Sequence, residues 1–295
     1  MKKISVIVNC FNGEKYLEKC LKSIINQKYP NIEIIFFDNF STDNSRDIVK
    51  NIKDDRIQLF SSQKKLPLYE ARNEAINKSS GDLIAFLDVD DWWDPEYLNS
   101  REKDFDNNQY QIFYNNAFMF YEKNGKYKKY KNYILPNGKI YNDLAKDYSI
   151  IISGLIIRRD VFDIIGKFNS KFNIIGDFDL IMRASRSFNF HAFDTPLIYY
   201  RIHQNNFSKE NANIFFEEYL YWYQSQLNSE NADFRKNKTF FKNRLLFLEI
   251  NHLLLNKKKN FFLIKKIFEY PNTIQMLKFI IGFMLPKKII KLLKK

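Results

Sequence analysis

Carboxylates crowd the end of one apolar run. In residues 86–98, "FLDVDDWWDPEYL", Asp88, Asp90 and Asp91 stop the strand-like "LIAFL", and Asp94 follows close behind. Two like charges side by side repel by about 1 kcal/mol in water, and by roughly 4 kcal/mol at an effective dielectric near 20. Folding alone does not offset that repulsion, whereas a bound divalent cation does. Strand alternation puts Asp88 and Asp90 on one side, and hard carboxylate oxygens suit Mg²⁺ or Mn²⁺, which keep waters and share phosphate oxygens. Taken alone, the cluster has a simpler alternative in a capped, solvated turn.

Two further strand ends carry polar groups: "NCFNGE" after "ISVIVN", and "DNFSTD" after "IEIIFF". Ligands of open α/β sheets bind outside the carboxyl ends of the strands, so three such ends together predict a site. The elements that must position it alternate over the first hundred residues. "ISVIVN", "IEIIFF", "RIQLF" and "DLIAFL" read as strands. Leu17, Cys20, Leu21, Ile24 and Ile25 have the spacing of one helical face, and "STDNSRDIVKNI" and "LYEARNEAINKS" read as helices. Asp94-Pro95 predicts an N-cap and first-turn proline for another helix. Beyond it, "QIFYNNAFMFY" reads as a strand, "SGLIIRRDVFDIIG" as a strand or turn entering a helix, "GDFDLIMRAS" as a helix opening with acid, and "PLIYYRIH" as a last strand-like segment. The pattern predicts an α/β fold with a mostly parallel central sheet flanked by helices. From about residue 207 it turns helical, which sets the expected domains at 1–206 and 207–295.

Composition narrows the function classes. The chain has 295 residues, 45% of them hydrophobic and 17% aromatic, ample for a packed core. Cys10 and Cys20 form neither a disulfide framework nor a CxxC metal pattern, and both are expected to be buried and reduced. The opening apolar stretch is too short for a signal core, and no uninterrupted apolar run of about 18 residues predicts a membrane span; a cytosolic protein is expected. The net charge of +13 is concentrated in residues 256–295, where eleven lysines face Glu269 alone. Lysines mixed with Phe, Ile and Leu in "KKKNFFLIKKIFEY" and "LKFIIGFMLPKKIIKLLKK" fit interfacial helices on an anionic lipid surface. A helical appendage packed on the body is the plainer reading, and no nucleic-acid module is recognisable there. GxGxxG, P-loop, nucleophile-elbow and HExxH patterns are absent.

"SVIVNCFNGEKYLEKCLKSIINQ", "IIFFDNFSTDNS", "ARNEAI", "GDLIAFLDVDDWW" and "IIGDFDLIMRAS" resemble, in order and spacing, the family 2 glycosyltransferases, over roughly residues 3–205. That resemblance implies a GT-A fold with a C-terminal helical extension outside it, a nucleoside-diphosphate sugar donor, and a hydroxyl acceptor on a glycan or lipid-linked glycan of the bacterial surface. Asp88 and Asp90 match the family's DxD motif, which holds Mn²⁺ or Mg²⁺ on the donor diphosphate; Asp88 alternatively touches the ribose, and Asp91 is an alternative ligand. His203 matches a histidine that some members use as a further metal ligand, while His191 and His252 read as structural. Asp38 and Asn39 stand where members usually read Asp-Asp-Gly-Ser, so Asn39 replaces an acid that accepts a hydrogen bond from uracil, and Phe40 replaces the glycine. Phe11, Asn12 and Glu14 fill the first loop, with Phe11 stacking on the base, and Arg72 faces the nucleotide. Inverting members place a Glu-Asp pair before a helix, with the Asp as base; here the Glu position falls on Gly176 and the Asp on Asp177, ahead of Asp179. These departures keep a non-catalytic nucleotide-sugar-binding protein on the same fold as the rival reading.

Overall fold

The computed structural model describes residues 1–207, 211–256 and 261–284. The chain divides into two compact units, Met1–Asn206 and Phe207–Lys295. In the first, apolar runs become β1 (Ile4–Cys10), β2 (Ile32–Asp38), β3 (Ile57–Ser61) and β4 (Leu83–Phe86), separated by α1 (Glu14–Ile25), α2 (Ser45–Asn51) and α3 (Leu68–Lys78). Then follow β5 (Trp92–Trp93), α4 (Glu102–Phe105), β6 (Ile112–Asn115), β7 (Phe118–Tyr121), β8 (Lys126–Lys129), α5 (Tyr141–Lys146), β9 (Leu155–Arg158), α6 (Arg159–Ile165), α7 (Gly176–Ser185), β10 (Phe190–Phe193) and β11 (Ile198–Ile202).

The described strands form two sheets. The larger has the order β10-β6-β9-β4-β1-β2-β3, all parallel except β9, which runs against both of its neighbours. Buried on both faces, β1 and β2 are near-continuous apolar runs, as a covered parallel sheet requires. Leu17, Cys20, Leu21 and Ile24 of α1 pack onto it, each Leu or Ile burial contributing about 1.5–3 kcal/mol. Both cysteines are buried and unbridged. The smaller sheet, β5-β11-β7-β8, stands at the carboxyl end of β4.

Two expectations about elements need correction. "QIFYNNAFMFY" is two strands in different sheets, because Asn115 and Asn116 are buried and turn their amides to backbone: Asn115 Nδ2 donates to Thr195 O at 2.7 Å, and Asn116 bonds both polar groups of the Lys131 backbone. The helix expected at Pro95 is delayed to Asn99. Segment 94–98 is held instead by Gln27, whose amide donates to Asp94 O at 2.7 Å and accepts from Leu98 N at 2.9 Å.

The second unit holds helices Ala212–Leu227, Ala232–Leu255, Phe261–Phe268 and Thr273–Met284. Ile250, Leu263, Ile267 and Phe279 form its last buried cluster, while Phe261, Phe262, Phe268, Ile274 and Met284 are exposed. No helix among the described residues is long and apolar enough to cross a membrane. Eight of the eleven tail lysines, 257–259, 287, 288, 291, 294 and 295, lie outside the described residues.

Candidate active site

The polar strand ends converge because β1 and β2 run in register, with Cys10 opposite Asp38, and β4 pairs along β1 on its other side. Gly13 lets the first loop close in: a Cβ there would meet Cys10 Sγ at 2.9 Å and Val89 Cγ2 at 3.1 Å. That loop is tied to 41–45. Asn12 N donates to Ser41 Oγ at 2.9 Å, Thr42 N to Asn12 Oδ1 at 2.8 Å, and the Asn44 backbone and amide to Glu14 Oε2 at 2.9 and 2.8 Å. Glu14 thus braces the loops. Phe11 is exposed, with Lys65 Nζ 3.6 Å from its ring centroid.

Asp38 is buried at the end of β2, its carboxylate accepting from Ser41 N. Asn39 is buried, and its amide is bonded to the backbone of a neighbouring loop. Nδ2 donates to Leu66 O and Oδ1 accepts from Leu66 N, both at 2.9 Å, with Ser62 Oγ at 3.4 Å on the same oxygen. Leu66 thereby fixes the orientation of the side chain to which the resemblance assigns a base contact. Phe40 holds the glycine position with φ of 68°, its ring half exposed; a left-handed backbone costs a non-glycine residue about 1–2 kcal/mol.

Ligand atoms of Asp88, Asp90 and Asp91 lie within 4.8 Å of one another. Their surroundings separate their roles. Asp91 is buried and engaged on both oxygens: Oδ2 by Ser153 Oγ at 2.5 Å and Oδ1 by Arg201 N at 2.8 Å. Burial, then the Asp90 and Asp88 charges, push its carboxyl well above the usual range. Asp91 shapes the loop. Asp90 Oδ2 meets His203 Nε2 at 2.9 Å, with His203 beneath the Tyr16 ring at 5.0 Å. Asp88 pairs with the Arg72 guanidinium; burial raises its pKa, Arg72 opposes that rise, and Asp90 adds to it. The oxygen donors of this carboxylate cluster are of the kind a hard divalent cation takes, and the His203 imidazole touches the cluster at Asp90.

The base candidates also separate. Asp179 is buried and paired with Arg183 Nε at 2.9 Å, a brace within α7. Asp177 is partly exposed; its Oδ1 accepts from Phe178 N at 2.8 Å and Tyr69 Oη at 3.0 Å, while Oδ2 has no hydrogen-bond partner among the described residues. Burial raises its pKa, against the lowering by Arg72, Phe178 N–H and the Tyr69 hydroxyl. Arg72, itself buried, lies 5.1 Å from the Tyr69 ring and so links Asp177 to Asp88. His191 stacks against Tyr110 and Phe193, and His252 against Phe216, as structural histidines do.

Sequence reasoning missed Tyr69, Ser153 and Arg201. Arg201 is the brace of the acidic loop: its Nε donates to Asp90 O at 2.8 Å and its guanidinium covers Tyr16 at 4.5 Å and Trp92 at 4.7 Å. Its place two residues before His203 was the available signal; Ser153 had none.

Comparison with known proteins bears on the family and the fold. The E. coli UDP-Glc:alpha-D-GlcNAc-diphosphoundecaprenol beta-1,3-glucosyltransferase WfgD is 28% identical over 207 residues, 70% of this chain and 79% of that protein. Glycosyltransferase GlyA of Streptococcus pneumoniae serotype 4 is 40% identical over 126 residues, 42% of this chain; the match spans only 18% of GlyA. S. aureus TarS 1–349, solved in complex with UDP-GlcNAc, superposes with a TM-score of 0.69 at 18% identity, covering 91% of this chain and 80% of that one; the shared fold is GT-A. Residues 5–166, more than half of the sequence, match the glycosyl transferase family 2 profile, and the chain belongs to that family.

Proposed function

We propose that the first unit is an inverting glycosyltransferase that moves a sugar from a nucleoside diphosphate, UDP by preference, to a hydroxyl of a glycan or lipid-linked glycan in bacterial surface polysaccharide synthesis. The observation that carries this reading is the line Asp177–Tyr69–Arg72–Asp88, which joins a carboxylate with an open oxygen to the acidic cluster. Asp90, His203 and Asp88 are the residues that would hold Mn²⁺ or Mg²⁺. When bound, such an ion supplies positive charge to the diphosphate leaving group.

The chain's own residues supply the rest. The acceptor oxygen bonds to the anomeric carbon as the bond from that carbon to the diphosphate oxygen breaks, and Asp177 Oδ2 receives the acceptor's proton. One base is what single-step inversion requires. The raised pKa of Asp177 brings its basicity nearer that of the hydroxyl it serves. Arg72 adds positive charge beside Asp88, and Asp91 with Arg201 and Ser153 keeps the acidic loop in shape. For the base, Phe11 offers a ring face, and Asp38 and Asn39 at the end of β2 offer acceptor oxygens. Exposed Phe261, Phe262 and Phe268 beside Lys265 support contact of the second unit with an anionic membrane surface, where a lipid-linked acceptor is found.

The test is release of UDP from UDP-glucose and UDP-GlcNAc in the presence of a GlcNAc-diphospholipid acceptor, in wild type and Asp177→Asn. Transfer that falls about 100-fold or more in the variant, with UDP binding intact, is the expected result. Transfer unchanged in Asp177→Asn would place the base elsewhere, and UDP binding without turnover on any acceptor would favour the non-catalytic reading.

A further inference from the structure

Gly176 opens α7 with no room above its Cα. A Cβ built there lies within 2.6 Å of Cγ, Cδ2 and Cε2 of Tyr69. Its backbone is not left-handed, so conformation does not call for glycine at this position; the phenol ring does. Tyr69 is buried and held from two sides. Its ring stacks on Phe168 at 5.1 Å, and its hydroxyl stands 3.0 Å from both Ile174 O and Asp177 Oδ1. A phenol has one proton, so it donates to one of these oxygens at a time. Gly176 also sits where the family resemblance expects an acid beside the base, and in this chain the Tyr69 ring fills the space that a side chain there would enter.

We propose that Tyr69 is the positioning residue of the catalytic base: its hydroxyl donates to Asp177 Oδ1 while the carboxylate is ionised, and turns to the Ile174 carbonyl once Asp177 has taken the acceptor's proton. This deepens the proposed function and rests on Asp177 being the base. The phenol proton never leaves its oxygen; only the O–H direction changes, and the transferred proton resides on Asp177. Both donors on Asp177, Phe178 N–H and the Tyr69 hydroxyl, address Oδ1, which leaves Oδ2 to meet the acceptor. Burial and the Asp177 charge hold the Tyr69 hydroxyl well above its ordinary pKa, so it remains a donor throughout.

Tyr69→Phe isolates the hydroxyl, because it keeps the ring over Gly176 and on Phe168. Two readouts are taken on the full chain. The first is the Asp177 carboxyl titration by carbon NMR, assigned with Asp177→Asn; it is expected to move to higher pH in Tyr69→Phe. The second is sugar transfer, for which kcat is expected to fall about 10- to 100-fold, the cost of a base no longer held in its productive orientation. Donor KM should hold, and the acid limb of the pH profile should move with the titration. An unmoved titration, or wild-type kcat and pH profile in Tyr69→Phe while the wild type transfers sugar, overturns the proposal and leaves the proposed function standing. Absence of transfer by the wild type itself removes the base, and this role for Tyr69 with it.

Discussion

Gly176→Ala should have opposite effects on stability depending on what stands at residue 69. In the wild type the added methyl would lie about 1 Å inside the optimal carbon–carbon separation of roughly 3.5–4.0 Å from three atoms of the Tyr69 ring. The ring has no easy retreat, since Phe168 stacks on it and its hydroxyl stands between Ile174 O and Asp177 Oδ1, donating to one of them. Overpacking of this kind costs about 1–3 kcal/mol, and displacing the hydroxyl would add about 1 kcal/mol. Against this stands the better helix propensity of alanine, worth up to about 1 kcal/mol and less at the first helical position. The expected net is a destabilisation of about 1–3 kcal/mol. In a Tyr69→Ala background the space is open, only the propensity term remains, and Gly176→Ala should be neutral or stabilising by up to about 1 kcal/mol. Urea unfolding of the four proteins followed by far-UV circular dichroism, compared at a common slope, closes the double-mutant cycle. A Gly176→Ala effect of the same sign and size in both backgrounds would refute the reasoning, because the ring would then be free to move and could not fix Asp177.

Three further outcomes follow from the same physics. Glu33 is buried, and although burial alone would raise its pKa, hydrogen bonds from Lys3, Ser5 and Ser80 lower it from 4.5 to about 2. Its folded pKa is depressed, so its contribution is fully present above its ordinary pKa near 4.5 and is lost as the pH falls toward about 2; Glu33→Gln should flatten the acid side of the stability curve and cost about 1–3 kcal/mol near neutrality, read from urea midpoints at pH 7 and pH 3.5. Asp91→Ala, which takes the acceptor from the Ser153 O–H and the Arg201 N–H in the interior, should destabilise by about 1–3 kcal/mol, whereas in Asp90→Ala the lost His203 contact is offset by relief of the repulsion from Asp88 and Asp91 and the urea midpoint should stay nearly unchanged; equal losses would show that Asp90 is also structural. Phe40→Gly should raise stability by up to about 1 kcal/mol, the relief of a left-handed backbone less the added freedom of the unfolded glycine chain.

The first half of the fold was readable because its strands are short apolar runs closed by polar residues. β1, β2, β3 and β4 emerge with α1, α2 and α3 between them where periodicity placed them. What escaped depends on partners far away in the chain. β5 is two residues long and exists only because β11 pairs with it; Asn115 and Asn116 switch the strand between sheets through Thr195 and Lys131. At the site, the acidic cluster was legible from charge alone. The division of labour within it was not, because Asp91 is distinguished only by Ser153 and Arg201, residues 62 and 110 positions away. Gly176 read as a departure from the family; Tyr69, 107 positions earlier, explains it as a matter of space.

The central claim is a donor site built on Asp90, and titration calorimetry of UDP with and without Mn²⁺, into wild type and Asp90→Ala, tests it most directly. The account predicts Mn²⁺-dependent binding by the wild type that the variant loses while its urea midpoint holds. UDP binding of equal strength in both proteins, or none by the wild type with UDP, GDP or dTDP, would contradict it.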